Sequence, residues 1–208
     1  MEFKTNCKLL DYDVALLSME KRVNDVISGN EKELVWFVEH HPVISGGSSS
    51  DKSDLLNDHA LPIHYSGRGG KFTYHGPGQR VVYLILDLKK RSPIPDLKAY
   101  VHNLEQVIIN SLDVLGVKSR RIAGKVGIWV GDDFSPSKIA AIGIRVRKWV
   151  TYHGIAINLD PDLDNFKHII PCGIKEYGVT SLKKLGVDYS KDEFDMILKQ
   201  EIIKIFGE

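Results

Sequence analysis

Three apolar, strand-like runs separated only by short polar links constrain this chain more than any other feature. Val126 to Val130, Lys138 to Val146 and Trp149 to Leu159 are divided by Gly131-Asp132-Asp133 and by Arg147-Lys148. A parallel crossover needs a dozen or more residues, so short links point to an antiparallel meander. Upstream, Glu33 to Glu39 (ELVWFVE) reads as a buried strand, and the near-continuous apolar run Arg80 to Leu88 as a central one. Asp13 to Ile27 carries Leu16, Met19, Val23 and Val26 near a helical period, with Gly29 as terminator. Leu97 to Leu115 repeats the pattern and can end at Gly116. A last helix opens with Ser190 and Glu193, a capping box, and shows Phe194, Ile197, Leu198 and Ile202 on one side. Ser45 to Ser50 and Asp160 to Gly173 read as loops, the first of them exposed. The expectation is an α+β fold, a mostly antiparallel sheet backed by helices on one face.

At 208 residues the chain fits a single domain spanning 1–208, with 179–208 as a small C-terminal helical appendage. A net charge of +1 gives no global signature of nucleic-acid binding. No apolar stretch approaches the roughly 20 residues that span a bilayer, and the N-terminus lacks the apolar core of a signal peptide. Two cysteines, Cys7 and Cys172, make no disulfide framework. These features point to a cytoplasmic protein without nucleic-acid or membrane partners, and to a monomer.

Three groups of residues carry chemistry. Arg68-Gly69-Gly70-Lys71-Phe72-Thr73-Tyr74-His75-Gly76-Pro77-Gly78-Gln79 is dense in glycine, which lets backbone approach a ligand and offers N–H donors to an oxyanion. Without a ligand the same stretch is only a glycine-rich hairpin, and its spacing fits neither a Rossmann nor a P-loop fingerprint. Cys172 lies in Pro171-Cys172-Gly173, off any apolar strand; most unpaired cysteines are small buried hydrophobes, but this setting suits a reactive thiol. Lys138 opens the run Ile139-Ala140-Ala141-Ile142-Gly143 and would be a desolvated proton carrier rather than a surface charge. His75 suits a polar pocket; His153 fits either a pocket or the core. No paired Cys-x-x-Cys or His spacing supports zinc, so no metal and no cofactor are expected.

The motif Arg68-Gly69-Gly70-x-x-Thr73-Tyr74-His75-x-Pro77-Gly78-Gln79 with Tyr83 resembles the signature of the lipoyl(octanoyl) transferase family. The resemblance extends in order through Val38 to Val43, Lys138 to Gly143, His153 to Leu159 and Pro171-Cys172-Gly173, roughly residues 30 to 185. It implies a biotin/lipoyl protein ligase-like fold and an acyltransferase. The implied donor is octanoyl-acyl carrier protein. The implied acceptors are lipoyl domains of 2-oxoacid dehydrogenases and the glycine cleavage H protein. The resemblance also implies that Cys172 takes the acyl group as a thioester and that Lys138 pairs with it. Substrate-binding segments map onto Arg68, Gly69, Gly70, Lys71, Phe72, Thr73, Tyr74 and His75, onto Ala141, Ile142 and Gly143, and onto Gly154, Ile155 and Ala156. The alternative is an ATP-dependent lipoate- or biotin-protein ligase of the same fold, which needs no nucleophilic cysteine.

Overall fold

The computed structural model describes residues 1–57, 59–170 and 177–207. The chain begins with β1 (Glu2–Thr5), α1 (Tyr12–Ser28), β2 (Leu34–Val38) and β3 (Val43–Gly46). It continues through β4 (Ile63–Tyr65), β5 (Thr73–His75), β6 (Gln79–Ile85) and α2 (Leu97–Val114). The meander follows as β7 (Arg120–Ile122), β8 (Lys125–Val130), β9 (Ser137–Arg147) and β10 (Val150–Asn158), then β11 (Gly178–Val179) and α3 (Lys191–Phe206). The main sheet runs β1-β2-β6-β10-β9-β8-β7, with β11 on β9. It is antiparallel except where β1 lies along β2 and β11 along β9. A second sheet, β4-β3-β5, packs beside it. The fold is α+β, as expected.

Side chains alternate across a strand, and the strands here are apolar at both parities. In β2, Val35 and Phe37 join one core with α2 and α3, while Leu34, Trp36 and Val38 join another with α1. In β6, Val82 and Leu84 face the first core, and Val81, Tyr83 and Ile85 the second. The expected backing on one face is therefore corrected: helices cover both faces, as the continuous apolar runs require. Helix α1 buries Tyr12, Ala15, Met19, Val23 and Val26, one turn longer than the predicted stripe, and ends at Gly29 in the left-handed region. Helix α3 starts where Ser190 Oγ accepts from the Glu193 amide at 3.1 Å. Its Phe194, Leu198, Ile202 and Phe206 enter the same core as α2. Asp195 accepts from Arg80 of β6 at 2.8 and 2.9 Å, tying α3 to the middle of the sheet.

The expected exposed loop at Ser45 to Ser50 is corrected over its first half only, since Ser48 and Ser49 are exposed and lie outside any strand. Ser45 and Gly46 belong to β3, and residues 45–47 are buried. Small residues stand there because backbone and rings crowd in. A Cβ on Gly47 would lie 2.3 Å from the Gly70 carbonyl oxygen, and one on Gly46 would lie 2.7 Å from Phe72. Likewise, residues 163–168 of the expected 160–173 loop form a 3-10 turn, capped by the Asp162 carboxylate.

Candidate active site

The second sheet leans over β9 and β10, and a cavity lies between them. Its free volume is about 50 Å³. Twelve of the predicted substrate-binding residues line it: Arg68, Gly70, Lys71, Phe72, Thr73 and His75 from the glycine-rich segment, and Ala141, Ile142, Gly143, Gly154, Ile155 and Ala156 from the paired strands. Gly69 and Tyr74 do not. The Gly69 amide donates to the Ile144 carbonyl at 2.8 Å, pinning the segment to β9. Tyr74 points the other way on β5, packs edge-on against Phe166 and accepts from Asn165. Tyr12, Val81, Tyr83 and His153, none of them among the expected binding residues, line the cavity as well. Tyr12 was detectable, because it continues the Ala15-Met19-Val23 stripe by one turn.

Arg68 is a clasp. Its Nη2 donates to the Ser45 carbonyl at 2.7 Å, to Ser45 Oγ at 2.9 Å and to the Lys71 carbonyl at 2.9 Å. The guanidinium so closes the glycine-rich turn, with Gly70 at φ 89°, onto β3. A Cβ on Gly143 would lie 3.0 Å from Arg68 Cδ, so the clasp also needs a bare backbone on β9.

One hydrogen-bond relay fixes His75. Asn158 Nδ2 donates to the Thr180 carbonyl at 3.0 Å, which turns its oxygen toward Gln79. Gln79 Nε2 then donates to that oxygen and to the Tyr74 carbonyl, leaving Gln79 Oε1 to accept from His75 Nδ1 at 2.6 Å. His75 Nε2 is thereby an acceptor, and the Ser45 hydroxyl donates to it at 3.1 Å. Burial, with His40 and Arg68 nearby, pushes the His75 pKa well down. His40 donates from Nδ1 to the Leu10 carbonyl at 2.8 Å and accepts the Tyr83 hydroxyl at 2.6 Å. Burial lowers its pKa to about 4, and that of His153 to about 3. The imidazoles around the cavity are neutral at physiological pH, so the charge on its walls comes from Arg68 and Lys71.

Lys138 is 6% exposed and opens β9, as expected. Its Nζ donates to the Val126 carbonyl at 3.1 Å and sits 4.6 Å from the centre of the Trp129 ring. The stem reaches there by crossing β8 over Gly127, at φ 115°, just before the β8–β9 register shift between Ile128 and Trp129. Lys138 lines a smaller cavity with Gln79, Asn158, Phe166 and Val179. That space shares Thr73, Ala141 and Ala156 with the larger one, so the two adjoin. Cys172 lies outside the described residues. Tyr177, beyond it, packs edge-on against Trp129, and Val179 pairs with Lys138 in β11. Among the described residues no group of three or more His, Cys, Asp or Glu side chains forms a metal site, and no helix is long and apolar enough to cross a membrane.

Residues 11–203 match the family model of the lipoyl protein ligase A/B catalytic domain. The chain is 50% identical to an octanoyltransferase of Neorickettsia sennetsu over the whole of both chains. It is 54% identical to one of Rickettsia bellii, with 99% of each chain covered. The fold superposes on the bipartite lipoate protein ligase of Thermoplasma acidophilum with a TM-score of 0.74 at 16% identity, covering 99% of this chain and 84% of that one. A full-length family match, identities of one half and a shared fold lead to one assignment: the chain belongs to the lipoyl protein ligase A/B catalytic-domain family, among the octanoyltransferases.

Proposed function

We propose that this chain moves an octanoyl group from acyl carrier protein to the lysine of a lipoyl domain through a thioester on Cys172, with Lys138 handling the proton. The observation that carries the reading is the placement of Lys138: buried, and lining a small space that adjoins the cavity lined by Ile142, Gly143, Ile155 and Ala156. Strand β11, which follows the segment bearing Cys172, borders Lys138 and supports the pairing.

In the first step the Cys172 thiolate attacks the donor's thioester carbonyl. A sulfur–carbon bond forms, the donor's carbon–sulfur bond breaks, and Lys138 gives its proton to the departing thiol. In the second step the acceptor lysine attacks the enzyme thioester. A carbon–nitrogen bond forms, Cys172 leaves as thiolate, and Lys138 takes back the proton. Each step passes through an oxyanion, for which backbone N–H groups near Gly70 or on the Lys138 strand are the donors. Thioester exchange followed by amide formation needs no nucleotide. A cationic neighbour raises the thiolate fraction of a cysteine whose ordinary pKa is about 8.5. The protein works as one catalytic domain, a cytoplasmic monomer, and the acceptors are the lipoyl domains of 2-oxoacid dehydrogenases and the glycine cleavage H protein.

The test is incubation with octanoyl-acyl carrier protein and a lipoyl domain without ATP, read by intact mass. The domain gains one octanoyl group, and Cys172→Ser shows neither the enzyme adduct nor the product. A strict ATP requirement selects the ligase alternative instead, and an adduct that survives Cys172→Ser removes the thioester.

A further inference from the structure

The end of the acyl cavity remote from Lys138 is built from polar, strained groups where ordinary core residues would have sufficed. The β9–β10 register orders the cavity: Ala141 faces Ala156, Gly143 faces Gly154, and Ile144 faces His153. Ala141 and Ala156 adjoin the Lys138 space, so His153 lies three residues further along, about 10 Å at a strand's rise. That span is close to the extended length of an eight-carbon chain.

His153 has φ 59° within a strand, a left-handed conformation unfavourable for a residue with a Cβ. It is 2% exposed, and its ring lies 5.2 Å from that of Tyr152 and 6.2 Å from that of Tyr83. Tyr12, 4% exposed, approaches the same region from α1 and stacks on His75 at 5.8 Å. Among the described residues, neither His153 Nε2 nor the Tyr12 hydroxyl has a hydrogen-bond partner. An unpaired buried polar atom destabilises the fold. A phenylalanine in place of Tyr12 and a glycine in place of His153 would remove both the strain and the unpaired atoms.

We propose that His153, backed by Tyr12, is the chain-length stop of the acyl cavity. The proposal rests on the acyl-transfer reading and deepens it. The ring blocks the path, and the unpaired polar atoms beyond Gly154 make poor contact for further methylenes. A ninth or tenth carbon therefore meets both a steric and a polar barrier. His153→Gly fits the backbone at φ 59° without strain and opens the end; His153→Asn keeps a residue tolerated in the left-handed region while shortening the side chain.

The experiment loads acyl carrier protein with octanoyl, decanoyl or dodecanoyl groups and compares transfer by the wild-type protein, His153→Gly, His153→Asn and Tyr12→Phe. Binding of free octanoate, decanoate and dodecanoate is measured alongside by calorimetry. Burial of each added methylene is worth about a factor of four, so His153→Gly raises the decanoyl-to-octanoyl ratio, two methylenes, about fifteenfold and the dodecanoyl ratio by at least as much. Tyr12→Phe moves both ratios the same way by less. Ratios in the folded variants equal to those of the wild type, in transfer and in binding, overturn the stop. A wild-type protein that transfers no acyl group but whose binding ratios shift as described keeps the stop and sinks only the transfer reading.

Discussion

At the scale of single residues, the position of Lys138 depends on a neighbour that has no side chain. Its stem crosses β8 over Gly127, where a Cβ would lie 3.3 Å from Lys138 Cε and 2.7 Å from the Ala140 carbonyl oxygen. Gly127→Ala forces the strand or the lysine to shift, and φ 115° strains any other residue there. On the proposed role of Lys138 as proton carrier, misplacing it costs rate more than binding. We expect Gly127→Ala to lower kcat about tenfold or more while KM for the acyl donor changes little, checked by steady-state transfer. A kcat equal to that of the wild type shows that the lysine does not need this path. Lys138 itself was legible in the sequence, because a charge opening a small apolar strand has to be buried. Gly127 was not: its neighbours Val126 and Ile128 read as ordinary strand, and the crowding that requires a glycine comes from β9, whose Ala140 carbonyl and Lys138 stem lie over it. Tyr12 lay between these cases, in phase with a stripe that the sequence reading began one turn too late.

At the scale of elements, the meander was legible because short links leave adjacent strands one way to pair. The second sheet was not. Strands β3, β4 and β5 are three or four residues long, and the serines and glycines around β3 look like a loop when local composition is all there is to read. What makes them a sheet is distant: Arg68 gripping Ser45, and Gly70 pressed against Gly47. The β9–β10 turn is the reverse case, a place where the element was predicted but its local chemistry is unfavourable. Lys148 and Trp149 take φ 50° and 72°, the two left-handed positions of a tight hairpin that Asn-Gly fills at least cost. Replacing them together, Lys148→Asn with Trp149→Gly, should stabilise the protein by about 1 kcal/mol. Urea unfolding reads this as a higher midpoint at unchanged slope. A lower midpoint means that Trp149 packing outweighs the turn strain.

Across the whole molecule, the histidine cluster sits where α1, the small sheet and the main sheet meet, so its protonation reports on all three at once. His40, His75 and His153 are folded with pKa values below the ordinary 6.5, chiefly through burial. When the chain unfolds below that pH, each imidazole takes up a proton that it refuses in the folded state. Unfolding is therefore favoured by acid. The stability these groups contribute is complete above about pH 6.5 and declines as pH falls toward about 4 for His40 and about 3 for His153. The slope is at most about 1.4 kcal/mol per pH unit for each histidine. The salt-bridged carboxyls of Glu33 and Glu39 are held below the usual carboxylate range, because hydrogen bonds and Arg91 or Lys191 outweigh their burial. They act in the same direction, but only below about 4.5, after the histidine window has opened. Asp195 runs the other way, since burial raises its carboxyl despite Arg80, and it offsets part of the loss near pH 4. The expected result is a urea midpoint that falls between pH 7 and pH 5, before any carboxylate titrates. His40→Gln, in which a neutral amide replaces the imidazole, should flatten part of that fall. A midpoint constant from pH 7 to pH 5 would mean that the three rings take up protons in the folded protein as readily as in the unfolded chain, and that the cavity they surround is wetter than its geometry implies.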